Sequence, residues 1–224
     1  MGELRQEIED ALPRAHERFV ALVRSVDPAA AVRTVPACPD WSVAELAAHV
    51  LTVYRRALGD RRRSATPEET ATLNAQCLAE VPERDLAALA DLLDADGPAS
   101  FAVLRSFPGD LSFRFHGGTR TTVTPVSAVI LGEVLIHGRD LAEATGDDWV
   151  IPADEASLVL RGANLPGPDG LPPIFATWLQ PGGETLLAAT ATTSDPVGAL
   201  TAFFRRTAPT TPELVALSRY LRSV

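Results

Sequence analysis

One stretch constrains this chain more than any other. Ile130-Leu-Gly-Glu-Val-Leu-Ile-His-Gly-Arg-Asp-Leu-Ala142 sets an acid inside the longest apolar run, Val126 to Ile136, and an imidazole at its end. On a helix, Glu133 and His137 are four residues apart and stand one above the other on the same face. Val129, Ile130, Val134, Ile136 and Leu141 surround them. A carboxylate in such company must be neutralised by a partner, because an unpaired buried charge costs several kcal/mol and shifts its pKa. A divalent cation shared by the Glu and the His is one such partner. A plain Glu–His hydrogen bond, or a Glu at the margin of the apolar face, is another, and E-x-x-x-H spacing is common by chance.

A second imidazole narrows the choice. Ser42, followed three residues later by Glu45, is a capping box that opens a helix with Val43, Leu46, Ala47, Val50, Leu51 and Tyr54 on its buried face. His49 lies close to that face. A lone helical His is more often structural than ligating. Here, however, two of only four histidines fall on strongly apolar helices that can face one another. The other two have weaker contexts: His16 is expected on an exposed helix face and His116 in a hairpin. Three protein ligands with an open fourth position suit a catalytic zinc better than a structural one.

The rest of the chain reads as mainly α. Leu4, Ile8, Leu12, Phe19 and Val23 carry a helical period, with a kink or two consecutive helices expected at Pro13. Val35 to Trp41 reads as a rigid turn in which Pro36 and Pro39 set the angle and Trp41 packs the helix entry. Arg61-Arg62-Arg63 marks a solvated end. Thr66-Pro67-Glu68-Glu69 predicts a third helix capped by Thr66 and running to about Ala79. Leu86 to Leu93 continue the period, and Phe101 to Leu104 predict one more short helix. Alternation around Gly117-Gly118 predicts a β-hairpin. A long helix from Ser127 to Ala144 follows, closed by Gly146. Beyond it the texture turns rich in Pro and Gly, so a boundary is expected at 149/150, with a loop-rich segment to about 185. A strand is expected at Leu186–Thr193, then helices from Asp195 through Arg206 and from Thr211 to the C-terminus.

Composition excludes several function classes. A formal charge of −9 disfavours nucleic acid as a partner. The basic residues are all Arg, which leaves no Lys for Schiff-base chemistry. The longest apolar run is about half of what a membrane span needs, and the charged N-terminus has no signal-peptide core. Two cysteines, Cys38 and Cys77, make no disulfide framework and suit a reducing cytoplasm. Cys38 itself reads as a buried structural cysteine in a Pro-bounded turn.

Two motifs in order carry a resemblance. Val35-Pro-Ala-Cys-Pro-Asp-Trp-Ser-Val-Ala-Glu-Leu-Ala-Ala-His-Val50 and Glu133-Val-Leu-Ile-His-Gly-Arg-Asp-Leu-Ala-Glu-Ala-Thr-Gly146 are similar to the paired signatures of the mycothiol-dependent maleylpyruvate isomerase family, a branch of the DinB-like superfamily. The likeness covers about residues 5–150. It implies a DinB-like four-helix bundle over 1–149, with His49, Glu133 and His137 as ligands of one divalent metal, zinc first among the candidates. Asp140 is placed to orient a ligand, as metal sites generally need. Residues 150–224 are weakly similar to the small sterol-carrier-protein-like α+β domain that follows the bundle in the isomerase.

The resemblance also implies mycothiol as thiol co-substrate, whose sulfur takes the open metal position and adds to a small electrophile. An isomerase later eliminates the thiol, whereas a transferase keeps the thioether. A dicarboxylate substrate needs cationic clamps, for which Arg139, Arg205 and Arg206 are candidates. Two other readings stay open: a metal-dependent hydrolase on the same bundle, and a non-catalytic metal- or ligand-binding module whose site is closed by Cys38 or His116. A monomer or homodimer is expected, without nucleic acid or membrane as partner.

Overall fold

The computed structural model describes residues 2–221. α1 (Gly2–Ser25) buries Ile8, Leu12, Phe19 and Val23. It runs unbroken through Pro13, where a kink or a second helix was expected. Proline removes the donor that would serve the carbonyl four residues back. Here the Arg105 guanidinium donates to that Glu9 carbonyl instead, so the helix continues. His16 is buried rather than exposed, and its Nδ1 lies 3.1 Å from the Tyr54 hydroxyl. α1 is covered on two sides, which makes its buried face wider than one apolar stripe suggests.

β1 (Thr34–Val35) and β2 (Cys38–Ser42) pair antiparallel where a plain turn was expected. They deliver the chain to α2 (Val43–Ala57). The capping box is present: Ser42 Oγ accepts from the Glu45 amide at 3.2 Å, and Glu45 Oε2 accepts from the Ser42 amide at 2.9 Å. α3 (Glu69–Ala79) starts later than expected. Thr66 does not cap it, and Glu69 Oε2 instead accepts from the Ala65 amide at 2.9 Å. α4 (Leu86–Ser106) is one helix through Phe101 and Leu104 rather than two.

The hairpin falls where it was predicted. β3 (Phe113–Arg114) pairs with β4 (Arg120–Thr121), and Gly117 and Gly118 both turn at positive φ. α5 (Val123–Thr145) follows, ending on Gly146 in the left-handed conformation at φ 84°. α1 and α2 each pack against both α4 and α5, so the elements carrying His49 and Glu133 lie side by side in one mainly helical core.

The C-terminal part departs most from expectation. α6 (Ala153–Ala163) occupies the segment read as loop and packs on α5 and α1. Its buried Glu155 takes both terminal nitrogens of Arg18. The strand expected at Leu186–Thr193 is a helix, α7 (Glu184–Ala191). α8 (Pro196–Phe203) and α9 (Pro212–Ser218) complete the region. α8 ends before Arg206 because Arg205 turns at φ 57°, and α9 stops at Ser218 with a turn after it, short of the C-terminus expected for the last helix. Among the described residues of this region the one extended pairing is an isolated bridge between Leu179 and Leu221, so helices replace the α+β expectation over 150–221. No helix among the described residues is long and apolar enough to cross a membrane.

Candidate metal centre

α2 and α5 aim their functional side chains at one another. Glu133 Oε2 lies 3.1 Å from His137 Nε2 and 3.5 Å from His49 Nε2. The three donor atoms fall within 4.8 Å of one another. A tetrahedral zinc with bonds of about 2.0–2.1 Å separates neighbouring ligand atoms by about 3.3 Å. The two observed separations bracket that edge, so the donor set fits one ion in both chemistry and spacing.

The surroundings orient each ligand. His137 Nδ1 lies 3.1 Å from Asp140 Oδ2, which leaves Nε2 facing Glu133. Asp140 is fully buried and is in turn gripped by Arg206, with Nε at 2.8 Å from Oδ1 and Nη2 at 2.7 Å from Oδ2. The His49 ring lies 4.5 Å from the Trp41 ring at a tilt of 30°. Its Nδ1 has no hydrogen-bond partner, so packing on Trp41, rather than a second hydrogen bond, fixes this imidazole.

Charges follow from these contacts. Burial alone would raise the Glu133 carboxyl, but the His137 and His49 imidazoles hold it well below the usual carboxylate range. Burial pulls His49 down. It acts the same way on His137, but Asp140 and Glu133 overcome it and push this imidazole up to about 9. Burial would also raise Asp140, yet His137 and Arg206 keep it ionised. One half-buried carboxylate thus meets two imidazole nitrogens at a point where a divalent cation can replace the shared protons.

The centre opens onto a cavity of about 970 Å³. Val53, Val126, Val129 and Ile130 line its apolar walls. No fourth protein donor joins His49, Glu133 and His137 among the described residues. Cys38 groups instead with His137 and Asp140, and His49, Glu133 and His137 all line the cavity.

Several expected residues fall elsewhere. Cys38 is not a structural core cysteine. It is half-buried, lines the cavity and sits 3.5 Å from Arg206 Nη2, with its thiol pushed up to about 11 mainly by burial. Arg139 does not line the cavity, and its Nη1 reaches the Arg206 carbonyl at 3.5 Å. Arg205 borders the cavity but donates to the Leu221 carbonyl at 2.6 Å. Arg206 is committed to Asp140, which makes it a support of the centre rather than an idle clamp. The sequence reading missed Arg56 and Arg63 as cavity residues, and His116, considered there as a fourth ligand, lines the cavity without joining the donor set. Spacing gave a signal for Arg56 alone, seven positions after His49 on the same helix.

Residues 12–142, more than half of the chain, match the family model described as mycothiol maleylpyruvate isomerase N-terminal domain. His49, Glu133, His137 and Asp140 lie inside the matched span, whereas Arg206 lies beyond it. No curated protein and no solved structure matches the chain.

Proposed function

The chain belongs to the mycothiol maleylpyruvate isomerase N-terminal domain family, and on that premise we propose that it is a metal-dependent thiol transferase or isomerase. Its co-substrate is mycothiol and its substrate a small electrophile. The observation that carries the reading is the convergence of His49, Glu133 and His137 on one point at the wall of a large cavity. We read α1, α2, α4 and α5 as the four-helix bundle of this family. A bound divalent ion, zinc first, supplies Lewis acidity that lowers the pKa of a thiol.

The chain's own residues do the rest. Glu133 offsets the ion's charge, and Asp140 keeps the His137 proton on Nδ1 so that Nε2 is free to ligate. Arg206 holds Asp140 ionised, and Trp41 fixes the plane of His49. Apolar walls keep bulk water from competing with the thiol. The free Cys38 and Cys77 suit a reducing compartment.

The test is elemental analysis of untagged protein, wild type beside His49→Ala, Glu133→Ala and His137→Ala. About one metal per chain in the wild type, lost in all three variants, supports the centre and leads to a mycothiol consumption assay. A wild type that stays metal-free after zinc reconstitution refutes it. Metal with no thiol consumed, but with ester or amide hydrolysis, favours the hydrolase.

A further inference from the structure

A second part of the cavity wall carries Arg56, Arg63 and His116, whose donors are only partly used. α2 places Arg56 seven residues beyond His49, which is about 10 Å along the helix axis, and both residues line the cavity. Arg56 Nη2 donates to Asn74 Oδ1 at 2.6 Å, while its buried Nε has no partner. Arg63 is half-buried and spends Nη1 on the carbonyls of Asp60 and Arg62. Neither guanidinium makes an ion pair among the described residues. The nearest candidate, Asp60, is occupied by Arg62 at 2.7 Å.

His116 adds a third donor. It is buried, and its Nδ1 accepts from the Ser64 amide at 3.3 Å. The proton of the neutral ring therefore sits on Nε2, and that buried Nε2 has no partner. Burial, then the charges of Arg56 and Arg63, push this imidazole down to about 3, so it stays neutral and donates. The acids that line the cavity are Asp40 and Glu133; neither is hydrogen-bonded or ion-paired to this cluster among the described residues, and the charges of Glu133 and Asp60 only partly offset the fall of the His116 imidazole. Unsatisfied buried donors are costly in isolation, and a cluster of them around two cations is matched by an anion.

We propose that Arg56, Arg63 and His116 form an anion subsite that takes the carboxylate of an apolar-bodied acid lying along the cavity toward His49, Glu133 and His137. For the substrate, this rests on the function proposed above and narrows it to an electrophile that carries a carboxylate at the end away from its reacting centre. The subsite is separate from Arg206, whose guanidinium is already filled by Asp140.

Calorimetric titration with octanoate and with octan-1-ol tests the subsite directly. The two probes share an apolar tail and differ in the carboxylate. In the wild type octanoate is expected to bind at least about tenfold more tightly, the scale of charge-assisted hydrogen bonds. That advantage should fall below about threefold in Arg56→Met and in Arg63→Met, and should survive in Arg56→Lys. It should also survive in His49→Ala. Where Arg56→Met fails to fold, Arg63→Met and His116→Phe give the same reading. Equal affinity for the two probes, or no binding of octanoate, overturns the proposal. So does a preference lost in His49→Ala and kept in Arg56→Met, since the carboxylate would then sit at the metal centre. Metal content reads the proposed function, and carboxylate preference in His49→Ala reads the subsite, so each can fail alone.

Discussion

Replacing Asp140 with Asn removes one negative charge and almost no volume from the most enclosed carboxylate of the centre. The wild-type side chain has no exposure, accepts from Arg206 at 2.7 and 2.8 Å, and lies 3.1 Å from His137 Nδ1. The Arg206 side chain keeps 15% exposure, so it cannot recover much hydration when its counter-ion goes. Breaking one partner of a buried pair costs about 3–5 kcal/mol. The amide oxygen of Asn still accepts one hydrogen bond, which points to the lower end, about 3 kcal/mol. For a chain of this length that lowers Tm by roughly 6–12 °C.

The assay is urea unfolding of the metal-free protein, read as a lower midpoint at unchanged slope. Arg206→Met added to Asp140→Asn should restore at least about half of the loss, because the stranded cation is gone. A single-variant cost below about 1 kcal/mol, or simple additivity in the double variant, would refute the claim that this pair is what secures the centre. The same Asp140→Asn substitution should weaken zinc binding by about 10–100-fold.

Three further outcomes follow from other contacts. A Cβ built on Gly138 meets the Trp149 indole at 2.2 Å, so Gly138→Ala should cost about 1–3 kcal/mol. It should also loosen the 3.0 Å bond from Trp149 Nε1 to the Leu135 carbonyl, which calorimetry and near-UV dichroism read. Below pH 6.5 the unfolded chain binds a proton at His116 that the folded chain, with this imidazole pushed down to about 3, refuses. Stability should therefore fall between pH 6.5 and about 3 by up to about 1.4 kcal/mol per pH unit from this residue. His116→Gln should flatten that limb in urea midpoints taken at pH 7, 6 and 5. Zinc at a hundred times its Kd should stabilise the wild type by about 2.7 kcal/mol and leave Glu133→Ala unmoved, as thermal melts would register.

The cluster of His49, Glu133 and His137 was legible because burial and charge conflict in its segments. An acid inside Val126–Ile136 demands a partner, and helical spacing supplies His137. The Ser42–Glu45 box and Gly146 were legible because caps are written in neighbouring residues. Elements governed by distant contacts were not. Pro13 looks like a break until Arg105, from another helix, takes the orphaned Glu9 carbonyl. Leu186-Leu-Ala-Ala-Thr-Ala is a short apolar run whose period fits strand or helix, and its Ala and Leu content favoured the helix that formed. The Pro-rich texture around α6 hid Ala156, Val159, Leu160 and Ala163, which repeat at helical steps and pack inward. Arg206 is 66 positions from Asp140, and no local pattern announces such a pairing. The same holds for His116, whose role depends on what Arg56 and Arg63 bring beside it.

Trp41 gives the centre an optical window. Its indole lies 4.5 Å from the His49 ring and 6.1 Å from His137, whereas Trp149 lies on Gly138 and Trp178 packs on Phe175. Excited indole is sensitive to what an adjacent imidazole carries, whether a proton, a closed-shell ion or an open-shell one. One native fluorophore therefore lies in ring contact with both imidazoles of the site, while the other two make no such contact among the described residues. Occupancy can be followed by emission in dilute solution, without label or substrate, and on the timescale of the binding event.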